Sequence, residues 1–166
     1  MKYNSIGEYF YRMSNRCLAL VLLPVTLLLA AYTSNQYFFS GLPWLIVDEG
    51  LLVKMTAGVA VLIIFLSAII VWMSHPKLKA LSKDPSLGNR IMGYVPIVTL
   101  RFRMLSLMLF IIGSGIFLTG SLMFFFLMSI PVFQLLIYWP VASRMAKDLR
   151  LKFEEREILK NKSLGV

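Results

Sequence analysis

Residues 103–144 read RMLSLMLFIIGSGIFLTGSLMFFFLMSIPVFQLLIYWPVASR, and between the bounding arginines 40 consecutive side chains, residues 104–143, carry no charge. A single helix of that length would extend about 60 Å at 1.5 Å per residue, twice the roughly 30 Å hydrocarbon core of a bilayer. The run is interrupted once near its middle, at Thr119-Gly120-Ser121, with Gly113-Ser114-Gly115 two turns earlier. This pattern predicts two membrane-spanning helices folded back on a tight turn, at 102–119 and 122–142. Two further apolar stretches upstream, at 17–33 and 51–73, bring the expected number of spans to four. The composition agrees: 58% of the 166 residues are hydrophobic and 15% charged, too apolar for a soluble domain of this size.

The net charge of +9 is read through its distribution. Lys2, Arg12 and Arg16 precede the first span. Lys77, Lys79, Lys83, Arg90, Arg101 and Arg103 lie between the second and third, and Arg144, Lys147, Arg150, Lys152, Arg156, Lys160 and Lys162 follow the fourth. The remaining cation, Lys54, shares its side of the membrane with Asp48 and Glu49. Positive residues are retained on the cytoplasmic side, so both termini and the 74–100 segment are expected there, in the cytoplasmic (inner) membrane of a bacterium. The clusters also attract anionic lipid, at about 1 kcal/mol for each residue close to the surface. Nucleic acid is not an expected partner, because the aromatic residues flank the apolar runs instead of interleaving with the charges. The basic start followed by an apolar run ending at Ala30-Ala31 has the outline of a signal peptide, and is read here as a first span.

The expected fold is therefore an all-α membrane protein, one domain over 1–166. It has four transmembrane helices (N-in/C-in), an N-terminal interfacial helix and a charged C-terminal helical extension. Within 3–16, Ser5 and Glu8 match a capping box, while Ile6, Phe10, Met13 and Cys17 recur at helical spacing. Pro24 marks a kink in the first span, and 74–100 reads as a cytoplasmic loop containing a short helix at 77–83. In the tail, Asp148 precedes Lys152 by four residues and Glu157 precedes Lys160 by three, pairings that support a fourth helix running on into the cytoplasm.

Candidate sites are few. Lys54 lies about one turn inside the second span on the outer side. Its stem snorkels so that the ammonium reaches headgroup phosphates, or it pairs with an acidic group on another helix or subunit, or it serves transport or catalysis. Asp48 and Glu49 read as a solvated helix start favoured by the helix dipole. Gln134 is the strongest polar group deep in the hairpin, expected to hydrogen-bond a neighbouring helix through Ser106 or Ser129. Arg144, Lys147 and Arg150, at the start of the tail, join Lys54 and Gln134 as candidate partner or lipid contacts.

The sequence carries no recognisable catalytic constellation, and no metal or cofactor is expected. The single cysteine, Cys17, excludes a disulfide or Cys-pair zinc motif within these residues, and the single histidine, His75, excludes bis-His haem ligation by one chain. The expected role is a non-catalytic integral membrane subunit, structural or accessory, of a larger complex with other integral membrane subunits. The alternative is a small oligomeric transporter or channel.

Overall fold

The computed structural model describes residues 5–37, 48–119 and 121–160. Six helices occur in them: α1 (Ile6–Tyr37), α2 (Glu49–Leu81), α3 (Leu87–Thr119), α4 (Leu122–Tyr138), α5 (Ala142–Asp148) and α6 (Phe153–Lys160), and no strand is found among the described residues. Among the same residues, α2 and α3 are long and apolar enough to cross a membrane. A third crossing follows if α4 and α5, which meet at 87° across a short break, are taken as one bent span. In α1 the 21 residues from Cys17 to Tyr37 are helical and uncharged.

α3 is the central element, packing against α1, α2 and α4. Its buried positions recur at intervals of three and four, through Tyr94, Ile97, Val98, Phe102, Leu105, Leu109, Ile112 and Ile116, so one apolar stripe faces neighbours along its whole length. Two cores are stacked along that stripe. At the charged end, Tyr94, Val98 and Phe102 pack with Ile6, Tyr9, Met13 and Cys17 of α1 and with Met145, Leu149 and Leu159 of the tail. In the apolar half, Leu105, Met108, Ile112 and Ile116 pack with Ile63 and Ile70 of α2 and with Phe124 of α4.

The α3–α4 turn falls where the sequence puts it. α3 ends at Thr119, whose hydroxyl bonds back to the Gly115 carbonyl at 2.7 Å, and Ser121 caps α4 by accepting from the Met123 amide at 3.3 Å. Asp48 caps α2 in the same way, accepting from Gly50 at 3.1 Å, as its reading as a helix start requires.

Three expectations about element boundaries are corrected. Residues 6–16 do not form a separate interfacial helix. They are the first turns of α1, and the stripe expected to lie on lipid is covered by protein: Ile6, Met13 and Cys17 are buried in the charged-end core. The Ser5 cap is present, with its Oγ accepting from the Glu8 amide at 3.2 Å, and the Glu8 carboxylate pairs with Arg12 one turn on. α1 stays helical through Pro24.

The 74–100 segment is also not a loop. α2 runs to Leu81 and α3 starts at Leu87, leaving a connection of only 82–86. Pro76 and Pro96 sit inside helices, where each removes a hydrogen bond, a defect of about 3 kcal/mol in an unsupported helix. Packing offsets it: Ser74 is buried, Leu78 and Leu81 press on the charged-end core, and Tyr94, Ile97 and Val98 bracket Pro96 on the buried side of α3. The short connection is made by side chains suited to turns, with Asp84 accepting from the Ser86 amide at 2.8 Å and Ser86 from Asn89 at 3.4 Å.

The tail is helical but does not prolong α4. Pro140 forces Trp139 into an extended conformation (φ −55°, ψ 130°), and the chain turns through 87° into α5. A second break at 149–152 separates α5 from α6, so Asp148 and Lys152 do not share a helix and their expected pairing is absent. The expected Glu157–Lys160 pair falls on a side chain outside the described residues. The 38–47 part of the expected outer connection lies outside them too.

Candidate functional site: a buried ionic pin and the groove beside it

The buried stripe of α3 includes two arginines, Arg90 (8% exposed) and Arg101 (6%), eleven residues and so about three turns apart on one face. Arg101 stands where the two cores meet, between Val98 of one and Leu105 of the other along α3. Its guanidinium reaches three other helices. Nη1 donates to Asp148 Oδ2 of α5 at 2.9 Å, Nε donates to Ser74 Oγ of α2 at 3.2 Å, and the cation lies over the Tyr138 ring of α4 at 4.8 Å from its centroid. The same Asp148 oxygen accepts from the Tyr94 hydroxyl at 3.0 Å, and its other oxygen faces Arg144 Nε at 3.8 Å.

Geometry of this kind fixes elements. A carboxylate gripped at one oxygen by a buried arginine and a tyrosine hydroxyl, with a second arginine 3.8 Å from the other, acts as an anchor for α5 and not as an exposed acid. Tyr9 of α1 adds a tie to the same bundle end, donating to the Ile91 carbonyl of α3 at 2.6 Å.

Arg90 makes the second anchor, holding Glu155 of α6 through both terminal nitrogens. Glu155 also accepts from the Lys152 amide at 2.8 Å, and Arg156 Nε donates to the Leu151 carbonyl at 2.9 Å. Burial works to raise the Glu155 pKa, but the Lys152 amide bond and the Arg90 guanidinium outweigh it and hold the carboxyl below its ordinary value. Thus both tail helices are ionically docked on α3.

The break between them is a Schellman turn. Arg150 N donates to the Lys147 carbonyl at 3.2 Å and Leu151 N to the Ala146 carbonyl at 3.0 Å, while Leu151 and Ala146 are both buried. This motif puts its C′ residue in the left-handed region, and here that residue is Arg150, with φ 52°.

The five sites expected from sequence are scattered over the molecule. Lys54 is exposed on α2. Gln134 does bond a neighbouring helix, but Nε2 donates to Ser67 Oγ of α2 at 2.7 Å, in place of the expected Ser106 or Ser129, and Ser129 instead bonds its own helix at Phe126. The Gln134 Oε1 atom is buried with no protein partner. Arg144 belongs to the pin, Arg150 is the left-handed cap, and Lys147 is exposed beside a groove. That groove, about 920 Å³, opens between α1, the α4–α5 bend and α6. Among the described residues, no three His, Cys, Asp or Glu side chains converge as metal ligands.

Sequence reasoning missed the four residues that do come together: Arg90, Arg101, Asp148 and Glu155. A signal existed. Arg90, Tyr94, Val98, Arg101 and Phe102 are spaced by four, four, three and one along one helical face, so the two arginines could be placed on the apolar stripe once 87–101 is recognised as helix. No family model, curated protein or solved structure matches the chain.

Proposed function

We propose that this chain is a non-catalytic integral membrane subunit of a larger membrane assembly. It crosses the bilayer four times, with both ends and the α2–α3 connection on the cytoplasmic side. α1, α2, α3 and α4 are the four crossings, which makes the charged-end core and its ionic pins a compact cytoplasmic-side platform. The distribution of Lys and Arg over three segments supports this orientation.

The observation that carries the reading is where the chain spends its apolar surface. The space enclosed by α2, α3 and α4 is filled by packed side chains, Leu105, Met108, Ile112 and Ile116 against Phe124. The large exposed residues instead form outward stripes. Val61, Ile64, Phe65 and Trp72 recur along α2, with Trp72 77% exposed, and Phe126, Phe133 and Leu136 recur along α4, with Phe126 78% exposed. This packing, and the almost wholly apolar lining of the cavities of about 450 and 190 Å³ between α1, α3 and α4, support a role in contact over one in conduction, and the stripes suit other membrane helices as well as lipid.

The test is extraction from native membranes in mild detergent through a C-terminal tag, followed by the composition of the particle. The subunit reading expects foreign membrane proteins in fixed stoichiometry. A lone 18.9 kDa chain or a homo-oligomer would contradict it and favour a small oligomeric transporter.

A further inference from the structure

The groove at the α4–α5 bend combines features that the helix packing leaves unexplained. Its lining combines the aromatic and apolar side chains Phe10, Trp139 and Val141 with two cations, Lys147 of α5 and Arg156 of α6. Lys147 is exposed and has no carboxylate partner among the described residues. Arg156 is engaged only at Nε, by the Leu151 carbonyl, which leaves its terminal nitrogens for an acceptor. Glu157, also in the lining, is already engaged within the chain. The cavity, about 920 Å³, is of the size that encloses a small amphiphile's head and the start of its chain.

Its place in the fold decides the occupant. α4 is uncharged from Leu122 to Tyr138, and the bend at Trp139 and Pro140 turns the chain into α5, whose first cation is Arg144. An aromatic at such a boundary marks headgroup depth. We propose that the groove is a binding site for one anionic phospholipid of the cytoplasmic leaflet. Its phosphate lies between Lys147 and Arg156, and its acyl chains leave along Trp139 and Val141. Arg supplies directed donors to phosphate and Lys a point charge, so the pair fits a phosphodiester carrying a net negative charge. Zwitterionic lipid has the same phosphate but brings its own cation and gains less. The site rests on the membrane placement of α4 proposed above and is independent of the accessory role.

The experiment is native mass spectrometry of the full chain in mild detergent, titrated with phosphatidylglycerol, phosphatidylcholine or inorganic phosphate. Wild type is expected to retain one phosphatidylglycerol in preference to phosphatidylcholine, and not to retain phosphate alone. Lys147→Gln with Arg156→Gln should weaken retention roughly thirty-fold, at the usual contribution of two basic residues near an anionic surface. Lys77→Gln with Lys79→Gln removes the same charge from exposed positions on α2 and should change nothing. Val141→Trp, at an exposed groove residue, keeps both cations but fills the space and should also lower retention; it decides the matter if the double variant fails to fold.

Equal losses from the Lys147–Arg156 and Lys77–Lys79 double variants, equal binding of the two lipids, retention of phosphate alone, or wild-type retention by Val141→Trp would each overturn the site. Flotation with liposomes separates the premises. A chain that floats without lipid preference overturns the groove alone, whereas one that does not float overturns the membrane placement with it.

Discussion

Arg101 is the residue on which most of the architecture converges. Four helices meet at its side chain, and the Asp148 carboxylate that balances it has a side chain only 14% exposed. Removing one partner of such a pair leaves a buried charge without compensation, which typically costs 3–5 kcal/mol, far more than the pair itself contributes. Asp148→Ala is accordingly expected to destabilise the protein by about 3 kcal/mol or more, read as a large drop in thermal midpoint in detergent. Loss of Arg101 and Asp148 together, as Arg101→Met with Asp148→Leu, should cost less than Asp148→Ala alone. Arg150 predicts the opposite sign. Its φ of 52° is one that a Cβ disfavours, and its side chain is exposed. Arg150→Gly should therefore stabilise by up to about 1 kcal/mol, read as a rise in thermal midpoint in detergent.

Among the elements, α6 is held most conditionally. Its ionic anchor is Glu155 on Arg90, and the Glu155 carboxyl is held below its ordinary value. A depressed carboxylate contributes stability that is present above its unfolded pKa, about 4.3, and is lost as pH falls through the folded value. Protection of the α6 amides, taken relative to intrinsic exchange at each pH, should hence fall on acidification below about pH 4.3, and Glu155→Gln should show the lower protection already at neutral pH, without that pH dependence. The α3–α4 hairpin has a different weak point. A methyl group on Gly115 would collide with the Phe124 ring, which is buried and cannot retreat freely. Gly115→Ala is expected to cost about 1–3 kcal/mol. At Gly93 the added carbon would meet only the end of the Leu81 side chain, at 2.5 Å, so Gly93→Ala should be much milder.

These elements also show what was legible. The hairpin and its turn at 119–121 could be read because hydropathy and a glycine break are local signals. The extent of α2 and α3 could not, because Pro76 and Pro96 argue locally for loops, and only burial of Ser74, Tyr94 and Val98 against distant helices overrides them. Charge was legible as three basic clusters along the chain, but not as pairs. The partners in Arg101–Asp148 and Arg90–Glu155 are 47 and 65 residues apart, and no periodicity within one helix announces them. The bend after Tyr138 was announced by Pro140, whose effect on the preceding residue is local. The helix-favouring composition beyond it masked that signal.

At the scale of the molecule, the charged-end core, its two ionic pins and the lipid groove form one body if they lie on the same side of the bilayer. The four-span orientation proposed above, with both ends inside, would provide that. It also puts Lys54 alone on the far side with Asp48 and Glu49, where Lys54→Met should loosen the assembly without unfolding the chain; unchanged co-purification of that variant would remove Lys54 from the contact surface. Topology is thus the claim on which the others depend. The direct measurement is labelling of single cysteines in intact cells with a membrane-impermeant thiol reagent, after Cys17→Ser, with cysteines placed at Glu49, Asp84 and Lys152. The account predicts that Glu49→Cys is labelled in intact cells, and that Asp84→Cys and Lys152→Cys are labelled only after the membrane is opened. Labelling of Asp84→Cys or Lys152→Cys in intact cells would contradict it.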